Sequence, residues 1–144
     1  MKPAFCVFNR SRECFLGVRV GAADTLFTRL KGALGRIGMH PLDGIWLVPS
    51  RGIHTIGMLF AMDLIYLDAH NRVIHLVEQL GPFRISPIRI GCASILELKT
   101  RSIYSSNTRL GDQLVICAPE EIDQYCASDS PLPAMEFGQA RGGR

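Results

Sequence analysis

Residues 62–80, MDLIYLDAHNRVIHLVEQL, decide the fold of this chain, because they predict a β-hairpin built from two apolar strands. Within the strand predicted over 62–68, residues 62–67 are apolar on both alternating faces except at Asp63, and such a pattern is typical of a strand buried on both sides. The next four residues, 69–72, are turn formers, and 73–80 returns as a second strand. We therefore expect 62–68 and 73–80 to be neighbours in a sheet.

Outside the hairpin, short apolar segments alternate with Gly, Pro, Asn and Asp, a rhythm that favours strands over helices. It predicts five further strands: Ala4–Phe8, Cys14–Val20, Gly44–Val48, Ala93–Leu98 and Gln113–Cys117. The first two of these are expected to pair antiparallel across a polar loop. Pro82 and Pro87 make residues 81–92 irregular or an edge.

One segment has a helical pattern instead. The apolar spacing after Asp24, a plausible N-cap, predicts a helix over Thr25–Ala33. The sequence has no internal repeat and no sustained strand–helix alternation, and seven short strands must hide their edges. The predicted fold class is therefore mainly β (α+β): a small, mostly antiparallel β-barrel-like domain of about seven strands with one main α-helix.

Length and composition predict one domain. The chain has 144 residues, of which 47% are hydrophobic, and a net charge of +3, and these values suit a single globular core. We expect a domain over residues 1–126 and a flexible tail over 127–144, which has few large apolar residues. No apolar stretch reaches the ~20 residues of a membrane span, and the first residues lack a secretory pattern. A cytoplasmic protein is expected.

The cysteine and histidine spacings predict neither disulfides nor a metal site. The five cysteines are odd in number and form no CxxC motif, and the four histidines show no HxH, HxxxH or HExxH arrangement. We expect structural cysteines, and no metal or cofactor.

Asp63 is the sharpest candidate for chemistry, because a carboxylate among apolar strand residues must be hydrogen-bonded or paired. Its expected partners are His54, Arg51, Arg36 or the backbone N–H groups of residues 52–57. Two interpretations stay open: a buried network that fixes this loop to the barrel, or a ligand-facing acid with His54 as proton carrier. Nucleophilic catalysis through Ser50, His54 and Asp63 is disfavoured, because Ser50 lacks a GxSxG frame.

Arginine dominates the basic residues, supplying thirteen of the sixteen, but no run of adjacent cations appears. Contacts with nucleic acid would have to come from scattered side chains, namely Arg19, Arg29, Arg36 and Arg51. A nucleic-acid partner is accordingly disfavoured.

Residues 53–68 carry a resemblance to a known family. They read IHTIGMLFAMDLIYLD, and they are similar, in unbroken register, to the I-H-T-x-G-M-x-F-P-[IM]-D-x-x-[FY]-L-D signature of the domain of unknown function 192 family of bacteria and archaea. The resemblance extends over about residues 14–117 and includes Gly32–Arg36, Gly44–Leu47, Leu96–Leu98 and Gly111–Asp112. Two positions depart from the family pattern: Ala61 replaces a usual Pro, and Arg101 lies near a usual Gly.

The resemblance implies a compact, mostly antiparallel β fold with one helix, and it implies no agreed activity. Its signature positions are Arg36, His54, Thr55, Gly57, Met58, Asp63, Asp68, Glu97 and Asp112. The candidate ligand-binding residues are the polar ones that folding alone does not obviously require, together with Arg51: Arg36, Arg51, His54, Thr55, Asp63 and Glu97. If they meet at one barrel mouth, they form a pocket for a small anionic or zwitterionic ligand.

Three functions follow from these observations. The first is a non-catalytic binding or accessory module that presents this pocket, or a sheet edge, to a small ligand or partner protein. The second is a small enzyme that uses His54 and Asp63 as acid and base. The third is a weak nucleic-acid binder through scattered arginines.

Overall fold

A computed structural model describes residues 4–23, 39–56, 58–126 and 131–133 of the chain. In the described residues, seven strands form one mixed sheet, with bounds at Ala4–Asn9 (β1), Cys14–Ala23 (β2), Asp43–Leu47 (β3), Met62–Leu67 (β4), Val73–Leu80 (β5), Ser94–Lys99 (β6) and Leu114–Cys117 (β7). The described helices are short: Ser102–Ser106 (α1), a 3₁₀ turn over Pro119–Glu121, and Ile122–Tyr125 (α2). The mainly β fold class is confirmed, and the predicted helix over 25–33 lies outside the described residues.

The strand order in the sheet is β5-β4-β6-β3-β2-β1-β7. The predicted antiparallel pairings of β1 with β2 and of β4 with β5 are both confirmed. The pairing of β2 with β3 is parallel, so the sheet is mixed, while every other pairing between these strands is antiparallel.

The sheet curves into a half-barrel whose two outer strands meet at one end. The start of β5 is hydrogen-bonded to the start of β7, because Val73 N donates to Asp112 O at 2.9 Å and Leu114 N donates to Asn71 O at 3.0 Å. A bridge between Arg72 and Gln113 lies in the same place. This contact satisfies edge groups that would otherwise be open to another chain.

Two apolar clusters lie on the two faces of β4, as its sequence predicts. Ile65 and Leu67 belong to a cluster that draws residues from strands around the half-barrel, including Val7, Val20, Leu98 and Ile116. Met62, Leu64 and Tyr66 belong to a second cluster on the opposite face, with Ile53, Met58 and Ile95. We call these the inner and the outer cluster. Every residue of β4 is buried, which confirms the prediction of a strand covered on both faces.

Candidate functional site

Asp63 is fully buried on the inner face of β4 and is hydrogen-bonded to two backbone N–H groups. Its Oδ1 accepts from Gln79 N at 2.9 Å, and its Oδ2 accepts from Ile103 N at 3.0 Å. A buried, hydrogen-bonded carboxylate is what the sequence predicts, but the donors are Gln79 and Ile103 rather than His54 or Arg51, while Arg36 and Gly57 lie outside the described residues. Side chains alternate across a strand, so Asp63 faces β5 and α1 rather than the loop before β4.

The contact with Gln79 fixes a bulge in β5. Met62 pairs with Leu80 and Leu64 pairs with Val77, so two residues of β5 lie opposite Asp63 alone. Gln79 has a φ of 55°, which is unusual for a residue other than glycine, and Asp63 accepts the N–H of this strained residue. A bulge bends its strand. Asp63 therefore helps to set the direction in which the chain leaves β5.

The contact with Ile103 caps helix α1. The residue at the N-cap position, Arg101, makes no side-chain hydrogen bond to the helix and has a φ of 72°. The first N–H groups of a helix need an acceptor from outside the helix, and Asp63 supplies it from a distant strand. The positive φ also explains why glycine is usual near this position in the family resemblance.

Thr55 ties the loop before β4 to the loop after β5. Its side chain is fully buried, and its hydroxyl donates to Gly81 O at 2.7 Å and accepts from Arg84 N at 2.8 Å. Its backbone N donates to Arg84 O at 2.8 Å, and its carbonyl accepts from Phe83 N at 3.0 Å. Both polar functions of the side chain are therefore used inside the protein.

Tyr66 holds the same loop from the outer face of β4. Its hydroxyl oxygen lies 2.6 Å from Ser86 Oγ and 2.7 Å from Pro87 O. A carbonyl can only accept, so the single phenolic proton goes to Pro87 and the Ser86 hydroxyl donates to the tyrosine. Ser86 Oγ in turn accepts from Ile53 N at 2.8 Å. Burial raises the pKa of Tyr66.

Segments 51–56 and 83–89 lie side by side as a result, and we call this pair the loop ribbon. Ser86 N donates to Ile53 O at 2.8 Å, Arg89 N donates to Arg51 O at 3.0 Å, and His54 forms an antiparallel bridge with Ile85. The packing is close at Gly52, where a Cβ atom would lie 3.1 Å from Ile88 Cγ1 and 3.1 Å from Pro87 O. The ribbon is therefore a fixed structure although it contains few regular elements.

The loop ribbon and the residues next to it expose large apolar side chains. The exposed fractions are 52% for Ile56, 65% for Leu59, 67% for Phe83, 76% for Ile85, 73% for Ile88 and 94% for Ile90. We call these residues the apolar patch. For residues 81–92 the sequence predicts only an irregular segment or an edge. The signal that could have revealed the patch is the alternation of apolar residues and arginines in 83–90, FRISPIRI.

Two of the candidate residues predicted from sequence, Asp63 and Glu97, lie on opposite faces of the sheet and therefore share no cavity. Leu64 pairs with Glu97 and Asp63 pairs with Leu98, so the Asp63 and Glu97 side chains face opposite sides of the sheet. Both residues are fully buried. Arg51 is exposed in the loop ribbon, and Arg36 lies outside the described residues.

His54 is the candidate whose bonding is incomplete. It is half-buried, and its Nδ1 is a buried atom that has no hydrogen-bond partner among the described residues. A cavity of about 120 Å³ lies elsewhere, and its lining in the described part of the chain is made up of His70, Asn71, Gln113, Leu114, Leu132 and Pro133. His54 is therefore associated with the loop ribbon and not with that cavity.

Two other acidic signature residues stabilise turns. Oδ1 of Asp68 accepts from His70 N at 2.8 Å and from Arg72 N at 2.9 Å. Burial opposes ionisation of Asp112, but hydrogen bonds from Arg12, Asn9 and the Arg109 N–H outweigh it and lower the pKa. These residues serve the fold at the closed end of the half-barrel.

The described cysteines are free thiols, and the ranges described contain no group of three or more His, Cys, Asp or Glu side chains that could hold a metal ion. Cys6 and Cys117 lie opposite each other on β1 and β7, and both are buried. Burial raises the pKa of Cys117 to about 11. None of the helices in the described ranges has the length and apolar content that crossing a bilayer requires.

The fold is similar to two solved structures of low sequence identity. A protein of unknown function from Novosphingobium aromaticivorans matches with a TM-score of 0.64 and 16% identity, over 76% of this chain and 81% of that one. A Sinorhizobium meliloti protein named a "putative transcription regulator" matches with a TM-score of 0.67 and 18% identity, over 81% of this chain and 96% of that one. At these identities the similarity concerns the fold alone.

A comparison with curated proteins finds no significant match. The family model of DUF192, described as uncharacterized ACR, matches residues 7–116. That range contains the segment 53–68 and all strands from β3 to β6. The chain belongs to the DUF192 family.

Proposed function

We propose that this DUF192 domain is a non-catalytic binding module, and that its binding surface is the apolar patch on the loop ribbon. The observation that carries the proposal is the exposure of large apolar side chains on a segment that buried hydrogen bonds hold in place. Groups of large apolar side chains exposed on neighbouring segments commonly mark an interaction site. A segment held in its bound conformation also loses less entropy on binding.

The family signature gains a physical role in this proposal. Thr55 and Tyr66 hold the loop after β5 directly, and Asp63 holds the bulge from which that loop departs. These residues are positioning groups for the loop ribbon. In the sequence-based hypothesis Thr55 and Asp63 line a polar pocket, but the Thr55 hydroxyl and both oxygens of Asp63 are hydrogen-bonded to backbone groups.

The enzyme alternative has weaker support. A general acid or base must reach the proton that it transfers, within hydrogen-bond distance or through one water. Asp63 is fully buried and both of its oxygens accept backbone N–H groups. Only His54 would remain for acid–base chemistry, and a lone half-buried histidine makes no catalytic pair.

The proposal can be tested by site-specific photo-crosslinking in cells that express the chain. Benzoylphenylalanine at Ile90 should form a discrete adduct, whereas the same probe at Tyr104, which is 73% exposed, should form none. Replacing Ile85 and Ile88 by serine should abolish the Ile90 adduct. Gel electrophoresis detects protein adducts, and mass spectrometry detects lipid adducts. Identical results at Ile90 and Tyr104 would contradict the proposal.

A thermal unfolding measurement separates binding from folding in this test. The Ile85→Ser and Ile88→Ser changes affect exposed side chains, so the melting temperature of the double variant should stay within about 3 °C of the wild type, as expected for surface substitutions. A larger fall would mean that the patch serves the fold, and it would count against a binding role.

A further inference from the structure

We propose, building on the function proposed above, that the apolar patch binds the surface of an anionic lipid bilayer. The isoleucines and Phe83 of the patch would enter the boundary between headgroups and acyl chains, and the neighbouring arginines would contact lipid phosphates. The site thus takes a lipid surface as its ligand and needs no membrane-spanning helix.

Charge complementarity is the first support for this proposal. Residues 48–60 and 80–93, which include the loop ribbon, contain Arg51, Arg84 and Arg89 and no Asp or Glu. All three arginines are exposed. Basic residues near an anionic membrane surface strengthen binding, and guanidinium groups suit phosphates especially well.

The alternation of side chains is the second support. Residues 83–85 read Phe-Arg-Ile and 88–90 read Ile-Arg-Ile, and each of these side chains is exposed. Each arginine is thus flanked by apolar residues that could enter the bilayer while its own charged group stays at headgroup level. Peripheral membrane proteins combine apolar burial with electrostatic attraction in this way.

The shape of the patch favours a bilayer over a protein partner. A side chain that is 94% exposed, as Ile90 is, projects beyond its neighbours and is not set in a groove. Protein hot spots are enriched in Trp, Tyr and Arg and lie in closely packed pockets; the patch has arginines beside it, but its only aromatic residue is Phe83 and its side chains project from the surface. A fluid bilayer adapts to projecting side chains, whereas a protein partner must supply a matching cavity.

The test is co-sedimentation of the full chain with large unilamellar vesicles at low salt. We expect binding to vesicles of phosphatidylcholine with 30% phosphatidylglycerol, and at least about ten-fold weaker binding to pure phosphatidylcholine. The double variants Ile85→Ser/Ile90→Ser and Arg84→Gln/Arg89→Gln should each bind the anionic vesicles at least about ten-fold more weakly. Raising the salt concentration should weaken binding, because the arginine contacts are screened.

Leu110→Ser is the matched control, because Leu110 is 64% exposed and lies in the turn beside the start of β5, at the closed end of the half-barrel. This variant should bind anionic vesicles like the wild type. All variants should keep the wild-type melting temperature within about 3 °C, so that a loss of binding cannot come from unfolding. A wild-type chain that stays in the supernatant with anionic vesicles would overturn the proposal, as would patch variants that bind unchanged.

Other anionic partners are separate outcomes of the same assay. Binding to a polyglutamate peptide or to duplex DNA, with no binding to vesicles, would overturn the lipid proposal in favour of an acidic protein or a nucleic acid. A protein adduct at Ile90 in cells, together with no vesicle binding, would overturn the lipid proposal alone and leave the binding surface supported. If neither the adduct nor vesicle binding is found, both proposals are wrong.

Discussion

Replacing Asp63 by asparagine should lower the free energy of unfolding by about 2–4 kcal/mol, because the two oxygens of Asp63 accept from two different backbone groups. Asparagine retains one oxygen, so only Gln79 N or Ile103 N can keep its acceptor. The other N–H is left facing an amide NH₂ in a fully buried place. A buried group without a partner costs about 1–3 kcal/mol. In this variant the backbone N–H and the asparagine NH₂ are both donors, and their repulsion adds to that cost.

Asp68→Asn is the matched control for this prediction. A single oxygen of Asp68, Oδ1, accepts from both His70 N and Arg72 N, so asparagine can keep both hydrogen bonds. Asp68 is also half-buried and not fully buried. We expect this variant to lose less than about 0.5 kcal/mol, the ordinary range for a surface substitution.

Urea denaturation followed by circular dichroism measures both variants. The midpoint should fall for Asp63→Asn at an unchanged slope, and the melting temperature should fall by roughly 6–12 °C, about 3 °C for each kcal/mol in a domain of this size. Hydrogen exchange should become faster at Gln79 or Ile103, where an amide has lost its acceptor. An Asp63→Asn variant as stable as Asp68→Asn would refute the reasoning, because it would mean that these two contacts do not hold the fold.

Three further predictions concern other sites. Arg101→Gly should be more stable than Arg101→Ala by about 1 kcal/mol in urea denaturation, because both variants lose the contact with the Tyr104 ring and only glycine relieves the φ of 72°; equal stabilities would contradict this. Because the pKa of Asp112 is lower in the folded state, its contribution to stability is present above about pH 4 and is lost as the pH falls through the folded pKa. Asp112→Asn should therefore lower stability at pH 7 but lower it less near pH 2, as thermal unfolding across this range can show; an equal loss at both pH values would contradict the assignment. At pH 8 Cys117 should be alkylated far more slowly in the folded chain than in urea, because burial raises its pKa to about 11. Peptide mass spectrometry can follow the reaction, with Cys126 as the more exposed control. Equal alkylation rates of Cys117 in the folded chain and in urea would contradict the prediction.

Two signature residues of this family, Asp63 and Thr55, have a structural role in this chain. Asp63 and Thr55 resemble the acid and hydroxyl of an active site, yet both use their polar atoms to hold backbone groups. Such residues can be essential to function without touching a ligand, because they position the surface that does. The melting temperature of an Asp63 variant and its vesicle binding are therefore expected to fall together, whereas the Ile85→Ser/Ile90→Ser variant should lose binding alone.

Local sequence patterns determined the strands and their burial. Alternating apolar residues and turn formers place a hairpin at 62–80, and the structure has β4 and β5 there, because side-chain alternation and turn chemistry act between residues close in the chain. The same local argument predicts that Asp63 is buried and hydrogen-bonded. Helix α1 was not predicted, since five residues are too few for a helical period to be recognised.

Only the tertiary structure decided what Asp63 touches and what the chain exposes. The register of β4 against β6 turns Asp63 and Glu97 to opposite faces, and a shift of one residue would have exchanged those faces. Gln79 and Ile103 reach Asp63 through a bulge and a helix that lie 16 and 40 residues away in sequence. The exposure of the apolar side chains in 83–90 likewise depends on the pairing of this segment with residues 51–56. Pairings of this kind join distant parts of the chain, and no local pattern encodes them.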